Sequence, residues 1–260
     1  MTAYFERRST TRFRATALTE GAWDPRQMHV SPAIGLLAHA IECDRDGRRD
    51  DGLALTRLSV DILGPFPVGE VEVDVRVLRP GRTIELVEAS LTHDGRTALL
   101  ARAWLQQQYD TSSIAGDDAP RLPAPDELLA FDAAMGWAGG FAESIEGRRE
   151  EPNPGHGRFW LRLGAPLVAD EEVSTTAQVL GIADVANGIT PRVGPEVATY
   201  PNIDLTAHLY RAPVSGWLGC ETAVSYSAGG IGLTRATLHD VDGPIGCSAQ
   251  ALTVRMQPLR

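Results

Sequence analysis

The sequence predicts an α+β fold made of two similar halves, each with one buried helix followed by an antiparallel sheet. Strand-like runs with period-two alternation occur in both halves, and one helix candidate that is apolar nearly all round precedes each set. A segment rich in Ser, Asp, Pro and Ala separates them. Because a sheet that curls around a helix buries both apolar surfaces, we expect a first half at residues 1–108, a linker at 109–134 and a second half at 135–260.

The first half begins with a predicted helix over residues 31–42, in which Ser31 is the N-cap and Pro32 is the first helical residue. Three strands follow, because apolar and polar residues alternate between clear turn signals. The turn signals are Pro-Gly and Asp-Gly. Proline fixes φ, and glycine readily adopts a positive φ. The predicted strands cover residues 70–78, 83–92 and 97–106.

The second half repeats this plan. Ser174 is the predicted N-cap of a helix over residues 174–187, which Asn187 and Gly188 end. We expect the linker before it to cross a surface, with a short helical turn at residues 126–131. The predicted strands cover residues 203–210, 217–227, 232–239 and 245–255.

The composition excludes several classes of protein. The net charge is −10, whereas a nucleic-acid-binding protein usually needs a basic face. No apolar run reaches the roughly 18 residues of a membrane span, and the charged N-terminus does not resemble a secretory signal. The three cysteines are odd in number and have no C-x-x-C spacing, so we expect reduced thiols and a cytoplasmic location.

The order and repetition of five segments resemble one family. They are HVSPAIGLLAHAIE, VRVLRPGRTIELVEASLTHDGRTALLARAWLQ, ADVANGI, YPNIDLTAHLYRAPVSGWLG and LHDVDGPIGCSAQALTVR. In this order they resemble the acyl-CoA thioesterase II family and its actinobacterial thioesterase relatives, which have a double-hotdog fold. The resemblance covers most of the chain and implies hydrolysis of fatty acyl-CoA thioesters, with no metal and no cofactor.

The resemblance also implies the site residues. In the family, a water is held between an aspartate, a threonine or serine, and a glutamine. Carried over to this sequence, these are Asp204 of the N-I-D-L motif, Ser225 and Gln250. For the hydroxyl, counting forward from Trp217 and counting back from the Asp-Gly turn that ends at Gly243 both give Ser225.

Two further sets of residues are candidates for contacts with the substrate. Backbone N–H groups at the start of the second helix, at Thr176, Ala177 and Gln178, are candidates for stabilising the oxyanion. All 24 basic residues are arginine, whose planar donors suit phosphate groups. The arginines near the turns, Arg79, Arg82 and Arg211, are therefore candidates for binding the phosphates of CoA.

Matching the two halves turn to turn indicates that the first half lacks this site. Aligning Arg79 with Arg211 places Glu72 opposite Asp204. Aligning Gly95 with Gly243 places Arg102 opposite Gln250. The first half then shapes the pocket and the second half carries the chemistry.

Alternatives remain open. Relatives carry His-Gly-Gly-Pro where this chain has His29-Val30-Ser31-Pro32, which puts ligand contacts by the first half in doubt. A binding protein that keeps the tunnel without turnover is one alternative. A hotdog enoyl-CoA hydratase, for which Asp24 and His29 have a loosely similar spacing, is another. No G-x-S-x-G motif supports an α/β-hydrolase.

Because exposed sheet edges need covering, we expect a homodimer or a larger homo-oligomer.

Overall fold

The computed structural model describes residues 2–134, 136–151 and 153–258. Its helices are α1 Val30–Arg48, α2 Gly140–Ser144, α3 Thr175–Leu180 and α4 Ala186–Ile189. Its strands are β1 Phe5–Arg7, β2 Arg12–Ala15, β3 Ala54–Ile62, β4 Glu70–Arg79, β5 Ile84–His93, β6 Arg96–Gln106, β7 Leu129–Asp132, β8 Ile145–Arg149, β9 His156–Leu163, β10 Ala198–Thr199, β11 Asp204–Leu209, β12 Leu218–Tyr226, β13 Ile231–Asp240, β14 Gly243–Thr253 and β15 Arg255–Met256.

The two halves form one continuous antiparallel sheet. Its thirteen strands run in the order β1-β2-β4-β5-β6-β3-β11-β14-β13-β12-β9-β8-β7, and β10 pairs separately with β15. The halves meet where β3 pairs with β11, from Asp204 opposite Asp61 to His208 opposite Arg57. Leu205 and Ala207 on β11 are completely buried beneath the helices. We call this face of the sheet the inner face and the opposite one the outer face. The α+β prediction of a helix wrapped by a sheet in each half is confirmed.

The first-half helix is longer than predicted and starts two positions earlier. Its N-cap is His29, whose side chain accepts a hydrogen bond from the backbone N–H of Ser31. Ser31 is therefore inside the helix, and its buried hydroxyl has no partner among the described residues. The helix continues to Arg48, where charged residues after Glu42 form ion pairs along it, such as Arg48 with Asp44.

The second-half helix is broken, although the sequence predicts one helix over residues 174–187. Ser174 caps α3 as predicted, but α3 ends at Leu180, and a 3₁₀ turn at Ala183–Val185 leads into α4. Gly181 follows α3 and lies against α1, where a Cβ on Gly35 would be only 2.8 Å from its Cα. Glycine permits both this close approach and the interruption of the helix.

The segment 109–134 runs over the outer face and ends in an edge strand. The indole N–H of Trp160 donates to the carbonyl of Pro123 at 2.8 Å, which ties the segment to β9. A 3₁₀ turn occupies Pro125–Glu127, but β7 follows and pairs with β8 where a helical turn was expected. The strands β3 and β9 are among those that the sequence does not predict, because neither run alternates cleanly.

Three properties of the described residues bear on function. The cysteines Cys43, Cys220 and Cys247 are free thiols. No helix within the described ranges is long and apolar enough to cross a membrane. Among these same residues, no group of three or more His, Cys, Asp or Glu side chains is arranged to hold a metal ion.

Candidate active site

A cavity of about 490 Å³ lies where the two halves meet. The first half contributes the loop before α1, including Trp23 and His29, and the segment after β3. The second half contributes Asp184, Asn187 and Asn202. The walls are mainly apolar and carry a few polar groups, as is typical of small-molecule sites.

Asp184 is the centre of a buried polar cluster beside this cavity. The side-chain Nδ2 of Asn202 donates to Asp184 Oδ1 at 2.6 Å. The side-chain Nε2 of Gln250 donates to the same oxygen at 3.0 Å and to the Asp184 backbone carbonyl at 2.9 Å. Both amides therefore hold one carboxylate oxygen. The hydrogen bonds among the described residues include none to the other oxygen, Oδ2, and Asp184 lines the cavity.

Burial raises the pKa of Asp184 to about 6. The hydrogen bonds from Asn202 and Gln250 oppose that shift, because they stabilise the ionised carboxylate, and the nearby charge of Asp204 adds to it. A carboxylate with a pKa in this range is ionised at neutral pH and still basic enough to accept a proton from water.

The local structure explains how three separate segments supply this cluster. Asp184 lies in the 3₁₀ turn that follows the break at Gly181. Asn202 lies two residues before β11, which begins at Asp204. Gln250 lies on the same face of β14 as Ser248, and Ser248 pairs with buried Ala207, so this is the inner face. Gln250 is only 1% exposed.

The structure does not bring the three predicted catalytic residues together. Gln250 is in the cluster, but Asp204 alternates with inner-face Leu205 and so belongs to the outer face. Its Oδ1 accepts a hydrogen bond from the backbone N–H of Ala251 at 2.7 Å. Ser225 pairs with Leu233, whereas Gln250 pairs with Thr234 on the other face, and Ser225 is exposed.

The predicted oxyanion donors at the start of α3 are already engaged. The N–H of Ala177 donates to Ser174 Oγ at 3.0 Å, and the N–H of Gln178 donates to the Ser174 carbonyl at 3.0 Å. Thr176 is buried in the same turn, away from the cavity wall. Because the cap of this short helix uses its own donors, the turn has no free N–H at Ala177 or Gln178 to offer a substrate.

The predicted phosphate-binding arginines lie away from the cavity. Arg211 makes a two-pronged ion pair with Asp240, at 2.5 and 2.6 Å. Arg79 donates to the carbonyl of Ile84 in the turn after β4, and Arg82 is exposed in the same turn. A strand of the ten residues of β4 spans about 30 Å, so this turn is far from the cavity near its other end.

Sequence reasoning missed Asp184 and Asn202. Asp184 is in the ADVANGI segment and Asn202 is in N-I-D-L, both of which carry the family resemblance. A continuous helix was predicted around Asp184, so nothing indicated that its side chain faces a cavity. The available signal was a lone acidic residue in an otherwise apolar helix, which is expensive to bury unless it has partners.

The comparisons with known proteins agree with the fold and show the family. Two family models match the chain: the acyl-CoA thioesterase N-terminal domain over residues 19–106 and the acyl-CoA thioesterase C-terminal domain over residues 116–254. Together with the helix-and-sheet architecture they define a double hotdog. The chain belongs to the acyl-CoA thioesterase family and is a thioester hydrolase.

Solved structures share the whole architecture at low sequence identity. A conserved protein with a hot dog fold from Alicyclobacillus acidocaldarius is 13% identical, with a TM-score of 0.74 over 96% of this chain and 94% of that one. The tesB protein of Mycobacterium avium subs paratuberculosis is 19% identical, with a TM-score of 0.70 over 96% and 95%. The acyl-CoA thioesterase II TesB2 of Mycobacterium marinum is 17% identical, with a TM-score of 0.69 over 98% and 96%. A comparison with curated protein sequences gives no match.

Proposed function

We propose that the chain hydrolyses acyl-CoA thioesters in the cavity between its halves, with Asp184 as the general base. The observation that carries this proposal is the ionisable carboxylate of Asp184, buried beside the cavity and held on one oxygen by two amides. A buried carboxylate with a raised pKa in a cleft is a typical site for proton transfer.

The reaction balances without another reagent. Asp184 Oδ2 accepts a proton as the oxygen of a bound water forms a bond to the thioester carbonyl carbon. The resulting tetrahedral oxyanion collapses and breaks the carbon–sulfur bond. The CoA thiolate leaves and takes the proton from Asp184, so the products are a free carboxylic acid and CoA thiol, and the carboxylate is regenerated.

Asn202 and Gln250 position the base in this scheme. Their N–H groups fix Asp184 Oδ1, so Oδ2 has one orientation toward the cavity. The two amides also favour the ionised carboxylate, which keeps the base deprotonated at neutral pH despite its burial. Asn202 thus occupies the third position of the cluster, where the family resemblance led us to expect a hydroxyl.

The deciding experiment measures release of CoA thiol from acyl-CoAs of graded chain length, with wild type and Asp184→Asn. The substitution keeps the size of the side chain and the Oδ1 acceptor but removes the base, so we expect turnover to fall about 10²- to 10⁴-fold. Ser225→Ala, on the outer face, is the matched control and should leave turnover unchanged. Equal turnover in wild type and Asp184→Asn contradicts the assignment. Tight binding of acyl-CoA without turnover in wild type indicates a carrier or sensor.

We further propose a cytoplasmic homodimer or larger homo-oligomer with an apolar acyl chain in its substrate. The strand β7, which ends the thirteen-stranded sheet beyond β8, supports the oligomer, because unpaired strand edges tend to be covered. A sedimentation measurement that gives a monomer of 28.0 kDa contradicts it.

A further inference from the structure

His29 reaches the same cavity from the first half of the chain. It is the N-cap of α1, and its Nδ1 accepts a hydrogen bond from the Ser31 backbone N–H at 3.1 Å. A neutral imidazole that accepts at Nδ1 must carry its hydrogen on Nε2. The helix cap therefore fixes the tautomer and makes Nε2 a donor.

The Nε2 donor of His29 is not used by the protein. Among the described residues, the side-chain hydrogen bond of His29 is at Nδ1 and none is at Nε2, and His29 lines the cavity that Asp184 also lines. The His29 ring packs against Phe141, with the ring centroids 4.4 Å apart. An oriented N–H that faces a substrate cavity without a partner is available to an acceptor on the substrate.

Burial in this apolar environment also keeps the ring neutral, because it lowers the pKa of His29 to about 4. A neutral imidazole can donate a hydrogen bond to a developing oxyanion without first losing a proton. It also does not form an ion pair with Asp184, so the carboxylate remains free to act as a base.

We infer that the Nε2–H of His29 donates to the thioester carbonyl oxygen and stabilises the oxyanion formed when water attacks. This inference rests on the proposed function and completes it, because the N–H groups of Ala177 and Gln178 are occupied by Ser174. The active site is then composite: the second half supplies the base and the first half supplies the oxyanion donor.

The test combines kinetics with a spectroscopic measurement on His29→Asn. Asparagine is a preferred N-cap, so the variant keeps an acceptor for Ser31 N–H but removes the imidazole donor. Removing one oxyanion donor typically lowers kcat by about 10²- to 10³-fold, and we expect KM to change little. The control is Ser31→Ala, which deletes a hydroxyl without a partner in the same turn and should leave kcat unchanged.

The spectroscopic arm uses an acyl-CoA analogue in which a methylene replaces the thioester sulfur, so that the carbonyl remains but cannot be hydrolysed. With the carbonyl carbon isotope-labelled, its infrared stretch in the complex should lie at lower frequency in wild type than in His29→Asn. A role confined to the helix cap does not move this band. Unchanged kcat together with an unchanged band overturns the inference, and His29→Gln repeats the measurement if His29→Asn does not fold.

Asp184→Asn separates this inference from the proposed function. That variant should lose turnover but keep the low carbonyl frequency of the bound analogue, because His29 is intact. If Asp184→Asn retains turnover, the base assignment fails. The difference in carbonyl frequency between wild type and His29→Asn then still decides the role of His29.

Discussion

The two halves of the molecule have the same architecture, but only the second carries the polar cluster. The first half keeps one unbroken helix of 19 residues, whereas the second breaks its helix after Leu180. Gly35 and Gly181 meet where these helices cross, and three positions later the first half has buried Ala38 where the second has Asp184. Breaking the helix and replacing alanine with aspartate are thus what distinguish the site-bearing half.

The strands of the two halves also differ at the position that Gln250 occupies in the second half. The turn pairs are His93 with Arg96 in the first half and Asp240 with Gly243 in the second, each beside one register irregularity. Counting equally from Arg96 and Gly243 places buried Ala103 where Gln250 stands. The sequence alignment of Gly95 with Gly243 gave Arg102 there instead, one residue away and on the other face. Small apolar residues fill the first-half positions, so no carboxylate is held there.

The largest effect is expected from Asp184→Asn, which removes the carboxylate that distinguishes the second-half helix region from the first-half helix. It should lower turnover about 10²- to 10⁴-fold yet stabilise the fold at neutral pH. Because burial raises the pKa of Asp184 to about 6, ionisation is harder in the folded chain than in the unfolded chain. The carboxyl therefore contributes most stability at low pH, and the contribution is lost as the pH rises through about 6.

The expected gain in the free energy of unfolding of Asp184→Asn at pH 7 is about 3 kcal/mol, from a pKa difference of about 2. Urea unfolding of wild type and Asp184→Asn at several pH values measures it. The difference between the two proteins should shrink below about pH 4, where the carboxyl is protonated in both states. A variant less stable than wild type at neutral pH contradicts this account.

The second-largest effect is expected from Gln250→Ala. This substitution places an alanine in the second half where the first half has Ala103. The hydrogen bond of Gln250 to Asp184 Oδ1 involves a charged group, and such bonds contribute about 1.5–3 kcal/mol, or roughly 10- to 100-fold in rate. CoA thiol release at saturating substrate measures kcat. Ser248→Ala on the same strand face is the matched control. Equal losses in both variants indicate a general packing defect.

A smaller effect is expected from Asn202→Ala, and it concerns the pH profile. Wild-type kcat/KM should fall below a midpoint near the Asp184 pKa of about 6, because the protonated carboxyl cannot accept a proton. The Asn202 hydrogen bond lowers this pKa, so its removal should move the midpoint upward. A stopped assay from pH 4 to 9 locates both midpoints. An unchanged midpoint shows that another group titrates.

The sequence predicted the architecture well, because alternation, turns and caps are local signals. The helix plus sheet of each half and the Ser174 cap are confirmed. The break at Gly181 was not predictable, because it depends on contact with Gly35, a distant part of the chain. The residues Asp184 and Asn202 were missed for the same reason, since their roles arise only from this tertiary arrangement.

The placement of Ser225 shows a second limit of prediction from sequence. A strand presents successive side chains to opposite faces, so an error of one residue in counting moves a side chain across the sheet. Val224 and Thr234 share the inner face with Gln250, and Ser225 lies one position beyond Val224. Counting residues from Trp217 and Gly243 gives a position along the chain, but it does not show which face of the sheet that residue occupies.

The smallest effect is expected from Asp204→Asn, which distinguishes the role of Asp204 from that of Asp184. The charge of Asp204 raises the pKa of Asp184, so Asp204→Asn should lower the acid midpoint of kcat/KM slightly and leave the plateau rate nearly unchanged. The asparagine oxygen can still accept the Ala251 N–H, which preserves the link between β11 and β14. The measurement is the same pH series, with Ser225→Ala as the outer-face control. If Asp204→Asn instead abolishes the plateau rate, then Asp204 takes part in the chemistry directly, and the base lies at the strand end and not in the broken helix.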